Sequence, residues 1–317
     1  MQEKSPLEHI PAIAYDPPKR KHYVEYFLFK CFSILWNILP ETLSMYCSAK
    51  IAIFTKIFLK KRNQTAIEKI QQNLNKDEQQ SNLILTESYI NFAHNWVAMV
   101  RSEKITRKIV LEHMKLFGFD QFKNYKKEGR GVIIANMHFG FWEISPRIFH
   151  LMEIPLAVMV AVQHNPLSDQ FINRFREQKG FHKVLHNRLS VRHTLRFLKK
   201  GGFLVIVADI DAGRNGIPVP FLNEISSTSN WPAQLSVKTD APIIVGLNYL
   251  DVDKKRTFEM NKAIDPRDYA NKDNEIEEIT LEMNKRMSKI IEDKPGQWFW
   301  LQRRWKTNRE EYDKNHS

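Results

Sequence analysis

Two cysteines, Cys31 and Cys47, occur in 317 residues. So few thiols exclude a disulfide framework and every zinc or iron–sulfur site that needs several cysteines, and they fit a chain facing a reducing compartment. Glycine (11) and proline (14) are no more than ordinary, which removes collagen-like and low-complexity architectures. No clean apolar run of about 20 residues is present, and the mean hydropathy is -0.44, so a polytopic membrane protein is excluded. Negative charge is also scarce: 36 carboxylates face 48 Lys and Arg, a formal charge of +12. That excess attracts nucleic acid, anionic lipid headgroups or an acidic protein, and composition does not choose among them. Several motifs are missing as well. Without a G-x-S-x-G elbow, a G-x4-G-K loop, a G-x-G-x-x-G after a strand, or a cysteine near the histidine-rich stretch, neither a covalent enzyme intermediate nor nucleotide chemistry has a residue basis. No cofactor is expected. His182 and His186 have i, i+4 spacing but lack a third ligand, so no metal site is expected either.

What is present is 43% hydrophobic residues, enough for a sizeable core in one large domain or two ordinary ones. Residues 1–22 hold four prolines and end in Lys19, Arg20, Lys21 and His22, and read as a mobile polar leader. The apolar stretch begins too late, and lacks the small-residue cleavage site, for a signal peptide. Tyr26 to Leu39 is apolar until Pro40; Leu43 to Leu59 follows and runs into Lys60, Lys61 and Arg62. Both are too short to cross about 30 Å of hydrocarbon. They fit either helices lying in a membrane interface, with lysines snorkelling to headgroups, or core helices with solvated lysines; the basic flanks favour the first. Residues 63 to about 115 have helical spacing, with Leu85, Tyr89, Phe92, Trp96 and Val100 among the repeating apolar positions. From Gly131 the texture alternates. Short apolar strands are expected at 132–135, 156–162, 203–208 and 243–247, with helices at 168–178, closed by Gly180, and 191–200, closed by Gly201 and Gly202. The expectation is an α/β fold with a mostly parallel central sheet flanked by helices, preceded by N-terminal membrane-associated helices. Its divisions are 1–22 leader, 23–62 anchoring helices and 63–317 α/β domain.

The sharpest chemical signal follows the first of these strands, in GVIIANMHFGFWEISP. His138 leaves the strand, and Glu143 falls on the first turn of the following helix, where it can fold back onto one ring nitrogen and leave the other free to take a proton. Backbone amides near Gly140 are candidates for stabilising an oxyanion. A carboxylate five positions after a histidine also occurs as plain capping. Arg174 and Arg176 on a helix, with Arg188 after a later strand, offer guanidinium forks for phosphate or form a solvated basic face. Asp209 and Asp211 end a strand, where capping, turn formation or a metal role are all open.

This segment resembles the H-x4-D/E signature of the glycerolipid and lipid A acyltransferase superfamily. NPLSDQFINRFREQKG at 165–180, LHNR at 185–188, ADIDAGRNGIPVPFLN from Ala208 and KPGQWFWLQRRWKTN from Lys294 are similar, in order, to the further blocks of bacterial lipid A biosynthesis acyltransferases. The resemblance spans residues 131–308. Four positions depart from the family pattern: Phe141 for a frequent Asn, Ile210 for a common Gln, Gly296 for Glu and Gln302 for His. The resemblance implies a membrane enzyme of the cytoplasmic face of the inner membrane that moves a fatty acyl chain from acyl carrier protein to a hydroxyl of a lipid A precursor. His138 and Glu143 would be catalytic, and Asn173, Arg176, Arg188, Asp209 and Asp211 would bind substrate. Expected partners are acyl carrier protein, the lipid A precursor and inner-membrane lipids, not nucleic acid. Another glycolipid or a lysophospholipid as acceptor, or a non-catalytic basic membrane binder, are the alternatives. The aromatic and basic block at 298–306 is read as a buried terminal strand with basic ends.

Overall fold

A computed structural model describes residues 15–307 except 155, 178–182, 187–190, 254 and 271–272. Four helices come first: α1 (Arg20–Ile38), α2 (Glu41–Phe58), α3 (Lys60–Leu74) and α4 (Glu78–Val100). Pro40, without an amide hydrogen, ends α1 and opens α2. Asp77 caps α4 by accepting from Gln80 N at 2.7 Å, with the Gln80 side chain returning to the Asp77 amide. Then come α5 (Arg107–His113), β1 (Met114–Phe117), α6 (Asp120–Lys127), β2 (Val132–Asn136), α7 (Ser145–Leu151), β3 (Leu156–Val160), α8 (Pro166–Glu177), β4 (Lys183–His186), α9 (Val191–Lys199) and β5 (Phe203–Val207). A hairpin, β6 (Ile217–Phe221) and β7 (Glu224–Thr228), precedes α10 (Trp231–Thr239), β8 (Ile243–Leu250), β9 (Arg256–Met260) and α11 (Glu275–Asp293).

Seven strands form one sheet in the order β1-β9-β8-β2-β5-β3-β4, in which β8 and β9 pair antiparallel and the other neighbours pair parallel. The fold is α/β with a mostly parallel central sheet between helices. Every residue of β2 is buried, and alternation splits it between two cores. Ile133 and Ala135 join Phe197, Ile279 and Met283 on one face; Val132 and Ile134 join Phe122, Ile148 and Phe149 on the other. Helix α9 ends as its glycines require: Gly201 takes a left-handed φ of 77°, and Gly202 N donates to Phe197 O at 3.0 Å.

Two readings change here. Residues 298–306 form no strand. After a short turn at Pro295–Gln297 they run irregularly, with one isolated bridge between Trp298 and Phe139. The helical region ends at His113, since Met114–Phe117 pairs with β9.

Helix α1 packs on α4 and α8 through Trp36, Val97, Val100, Phe171 and Phe175. Its other face, with that of α2, is exposed and apolar: Val24, Phe27, Leu28, Ile38, Phe54, Ile57 and Phe58 are each at least 60% accessible. No single helix among the described residues is long and apolar enough to cross a membrane; α2 and α3 together are, but they bend by 98°.

Candidate active site

Strands β2 and β5 are parallel and in register through Asn136 opposite Val207, and Ala208 N donates to Asn136 O at 2.9 Å. Two residues further along each chain, His138 meets Asp209. Asp209 Oδ1 lies 2.9 Å from His138 Nδ1, and Asp209 Oδ2 accepts from the His138 amide at 2.9 Å. The same Oδ2 accepts from Trp298 Nε1 at 2.8 Å and Gln302 Nε2 at 2.9 Å, while Phe299 N donates to His138 O at 2.9 Å. Asp209 is wholly buried, and the His138 side chain is 28% exposed. Its ring thus has one nitrogen pinned and the other turned from the pin.

This corrects the expected pairing. Glu143 is not the carboxylate on His138. It lies in a short turn, Trp142–Ile144, before α7, and its two oxygens receive Arg176 Nε at 2.9 Å and Nη2 at 2.5 Å. Arg176 Nη1 continues to Asn173 Oδ1 at 3.0 Å, and Asn173 Nδ2 to buried Asp169 at 3.0 Å. The fork expected to be open for phosphate is therefore filled by Glu143, because two charges this deeply buried need each other. Asn165 caps α8 through Leu167 N at 3.0 Å and ties it to α1 through His22 O at 2.9 Å. The amides near Gly140 are also taken: Gly140 N donates to Gln297 O, Phe141 N to Asn248 O and Glu143 N to Asn95 Oδ1. Gly140 itself is required, since its φ is 54° and a Cβ there would stand 2.0 Å from Asn248 O.

Asp211 faces away from this centre, accepting from Gly213 N, Thr307 N and Thr307 Oγ1. Arg188, His182 and Gly180 lie outside the described residues, as do residues 1–14 of the leader. Among the described residues no group of three His, Cys, Asp or Glu is placed to hold a metal.

Burial disfavours every charge in the network, and partners outweigh it. For His138, burial pulls the imidazolium pKa down, but the Asp209 charge and hydrogen bond hold it above the usual value. Asp209, despite burial, is drawn down to about 2 by His138 and by its Gln302 and Trp298 donors. Burial likewise pushes Glu143 up, and Arg176 reverses this to leave it below the usual carboxylate range.

His138, Glu143 and Arg176 line one wall of a cavity of about 590 Å³ at the carboxyl ends of β2, β3 and β5. Its remaining lining is chiefly apolar, including Val158, Val160, Val205, Ile206, Ile210 and Trp231. Trp142 packs edge-on to the His138 ring at 5.3 Å. Such a cavity accepts a flexible apolar chain and presents one oriented base to its polar end.

Of the departing residues, Gln302 is part of the Asp209 network. Gly296 is explained by Glu87: a Cβ at 296 would stand 2.0 Å from its Oε2. Phe141 is buried against Arg256, 5.0 Å from its ring, and Ile210 lines the cavity. Sequence reasoning missed Trp298, Gln302 and Arg304 as site supports. Buried Arg304 donates to Ile210 O at 3.0 Å and Ser227 O at 2.7 Å, bracing the segment after Asp209 against the hairpin. The aromatic and basic block had carried a signal, but nothing in it said which carboxylate it would meet.

An oriented histidine beside an apolar, sheet-end cavity is equipped to take a proton from a nucleophile bound there. Residues 16–307 match the bacterial lipid A biosynthesis acyltransferase family, and the chain belongs to it; the protein is an acyltransferase. It is 25% identical over 280 residues to the lipid A biosynthesis palmitoleoyltransferase of Escherichia coli, covering 86% of this chain and 88% of that protein. A lipid A biosynthesis acyltransferase of Shigella flexneri gives the same figures. The lipid A biosynthesis lauroyltransferase of Escherichia coli is 26% identical over 200 residues, 62% of this chain and 63% of that protein.

Proposed function

We propose that this enzyme moves a fatty acyl chain from the thioester of an acyl carrier protein to a hydroxyl of a lipid A precursor, by direct transfer with His138 as general base. The observation that carries the reading is the His138 ring, with Nδ1 held by buried Asp209 beside an apolar cavity. His138 Nε2 accepts the hydroxyl proton as the oxygen attacks the thioester carbonyl carbon. Asp209 fixes the tautomer and stabilises the imidazolium. Arg176, its charge paired with Glu143 and its position set by Asn173, lines the cavity wall beside the base. When the tetrahedral intermediate collapses, the carbon–sulfur bond breaks and the imidazolium proton passes to the leaving sulfur. The products are the ester and the free thiol. The acyl chain occupies the cavity, and the +12 chain suits an acidic carrier protein. Glu143 makes no hydrogen bond to the imidazole but holds Arg176, and its charge adds to that of Asp209 in favouring the imidazolium.

The exposed apolar faces of α1 and α2 support attachment to the inner membrane at its cytoplasmic side, where lipid acceptor and carrier protein meet. The test is incubation of the purified protein with acyl carrier protein thioester and lipid A precursor, followed by mass spectrometry. One added acyl chain on the lipid, lost in His138→Ala, is expected. Acylation of lysophospholipid in place of the lipid A precursor overturns the acceptor, and full turnover by His138→Ala overturns the mechanism.

A further inference from the structure

A second concavity, of about 540 Å³, lies between the start of α3 and the irregular C-terminal segment. Its lining holds six cations, Lys61, Arg62, Lys69, Arg303, Arg304 and Lys306, and no carboxylate. Lys69 is engaged by Glu224 at 2.6 Å, and Arg304 is tied to main-chain oxygens. Lys61, Arg62, Arg303 and Lys306 are exposed, and among the described residues no carboxylate lies within ion-pair distance of any of them. Two buried N–H groups in the wall, Arg304 Nε and Trp305 Nε1, also have no acceptor there; the wall's one spare buried acceptor is Gln302 Oε1. Among the described residues these four cations have no carboxylate partner, and like charges gathered on one concavity favour an anion among them.

The position narrows the anion's identity. The groove begins one turn past the exposed, apolar end of α2, where Ile57 and Phe58 precede Lys60 across the sharp bend into α3. A ligand with hydrocarbon on that surface places its phosphate among these cations. The groove's other wall includes Gln302, whose amide donates to Asp209, the carboxylate on His138. The groove is thus linked to the base's carboxylate through Gln302, although the two concavities share no lining residue.

We infer that this groove binds a phosphate of the lipid acceptor, and so selects phosphorylated glycolipid over its neutral counterpart. The inference rests on the lipid A reading above and assigns a headgroup site to it. Guanidinium groups bind phosphate through charge-assisted hydrogen bonds, and losing one or two weakens a contact by about tenfold or more.

The experiment compares wild type with Arg62→Ala, Arg303→Ala and their double variant, all exposed positions. Two measurements use lipid A precursor and the same lipid after phosphatase treatment, in mixed micelles at constant surface fraction. The first is equilibrium binding without acyl donor; the second is steady-state transfer. Expected is a roughly tenfold weaker binding and raised KM for the phosphorylated lipid only, so that the preference for phosphate collapses toward unity in the double variant. Equal losses on both lipids, or no loss, overturn the inference. A raised KM for the acyl carrier protein with lipid binding intact also overturns it and makes the groove a donor dock. Phosphate-dependent binding that the variants abolish, without acyl transfer by wild type, leaves the groove standing and removes the function on which it was built.

Discussion

Asp209, not Glu143, holds the His138 imidazole, and this reassigns the expected consequences of substitution. His138→Ala is expected to lower kcat by about a hundredfold or more, the share a positioned base supplies. The base works only when neutral, and its pKa is raised, so activity should climb as pH rises through a value above 6.5. Asp209→Asn removes the charge that outweighs burial; its acid limb should move downward while kcat falls, and a pH profile of kcat checks both. An unmoved limb means Asp209 does not control the ring. Glu143 and Arg176 form a different unit, with side chains only 7% and 12% exposed. Arg176→Ala strands a buried carboxylate and should destabilise by about 3–5 kcal/mol in urea unfolding, whereas Glu143→Gln/Arg176→Met should recover much of that loss. If the double variant is as unstable as the single, the pair is not what holds this part of the fold.

Between strand β2 and helix α7 the chain makes the turn that carries His138 into the cavity, and the turn depends on the backbone of Gly140. Gly140→Ala must accommodate both a left-handed φ and a contact with Asn248 O, so a loss of more than about 1 kcal/mol is expected, with kcat reduced because His138 is displaced. Thermal melting and turnover of the same preparation test this; unchanged values for both would show that the turn relaxes freely. The C-terminal segment is the matching support, since Trp298, Phe299 and Gln302 each reach the Asp209 or His138 end of the site. Gly296→Glu, which introduces the residue more usual in the family, brings a second carboxylate onto Glu87 and should loosen this support.

At the scale of the whole molecule, acid and membrane responses follow from burial. Folded Asp209 titrates at about 2 and folded Glu143 below its ordinary 4.5, so their contribution is full above the usual carboxylate values and is lost as pH falls. Acid unfolding followed by circular dichroism should therefore fall between pH 4.5 and about 2, and the midpoint should shift in Asp209→Asn. Removing the first 60 residues would uncover the Trp36 contact face as well as any membrane surface, so exposed positions give the cleaner test. Phe27→Glu with Phe58→Glu should leave the melting temperature unchanged yet weaken sedimentation with vesicles, because two apolar side chains leave the interface. Full sedimentation of the double variant at high salt would assign attachment to another surface.

The sequence by itself determined the local elements and the class of chemistry. Buried strands such as Val132–Asn136 are apolar without interruption, Pro40 and Gly201 mark helix ends through backbone constraints that hold in any context, and the His138 motif with its following blocks carried the family. Only the tertiary structure decided which charges meet. His138 and Asp209 stand 71 residues apart, and they face one another because β2 and β5 pair in parallel register; Glu143, nearer in sequence, is turned by Trp142–Ile144 toward Arg176 on α8. The terminal block reads equally as strand or coil from its aromatic residues, and it is coil because its main-chain amides go mostly to nearby carbonyls, Trp298 N to Pro295 O, Trp300 N to Trp298 O, Gln302 N to Phe299 O and Lys306 N to Arg303 O, instead of to a neighbouring strand. Pairing partners and shared burial are properties of long-range contact, and a linear spacing rule carries neither.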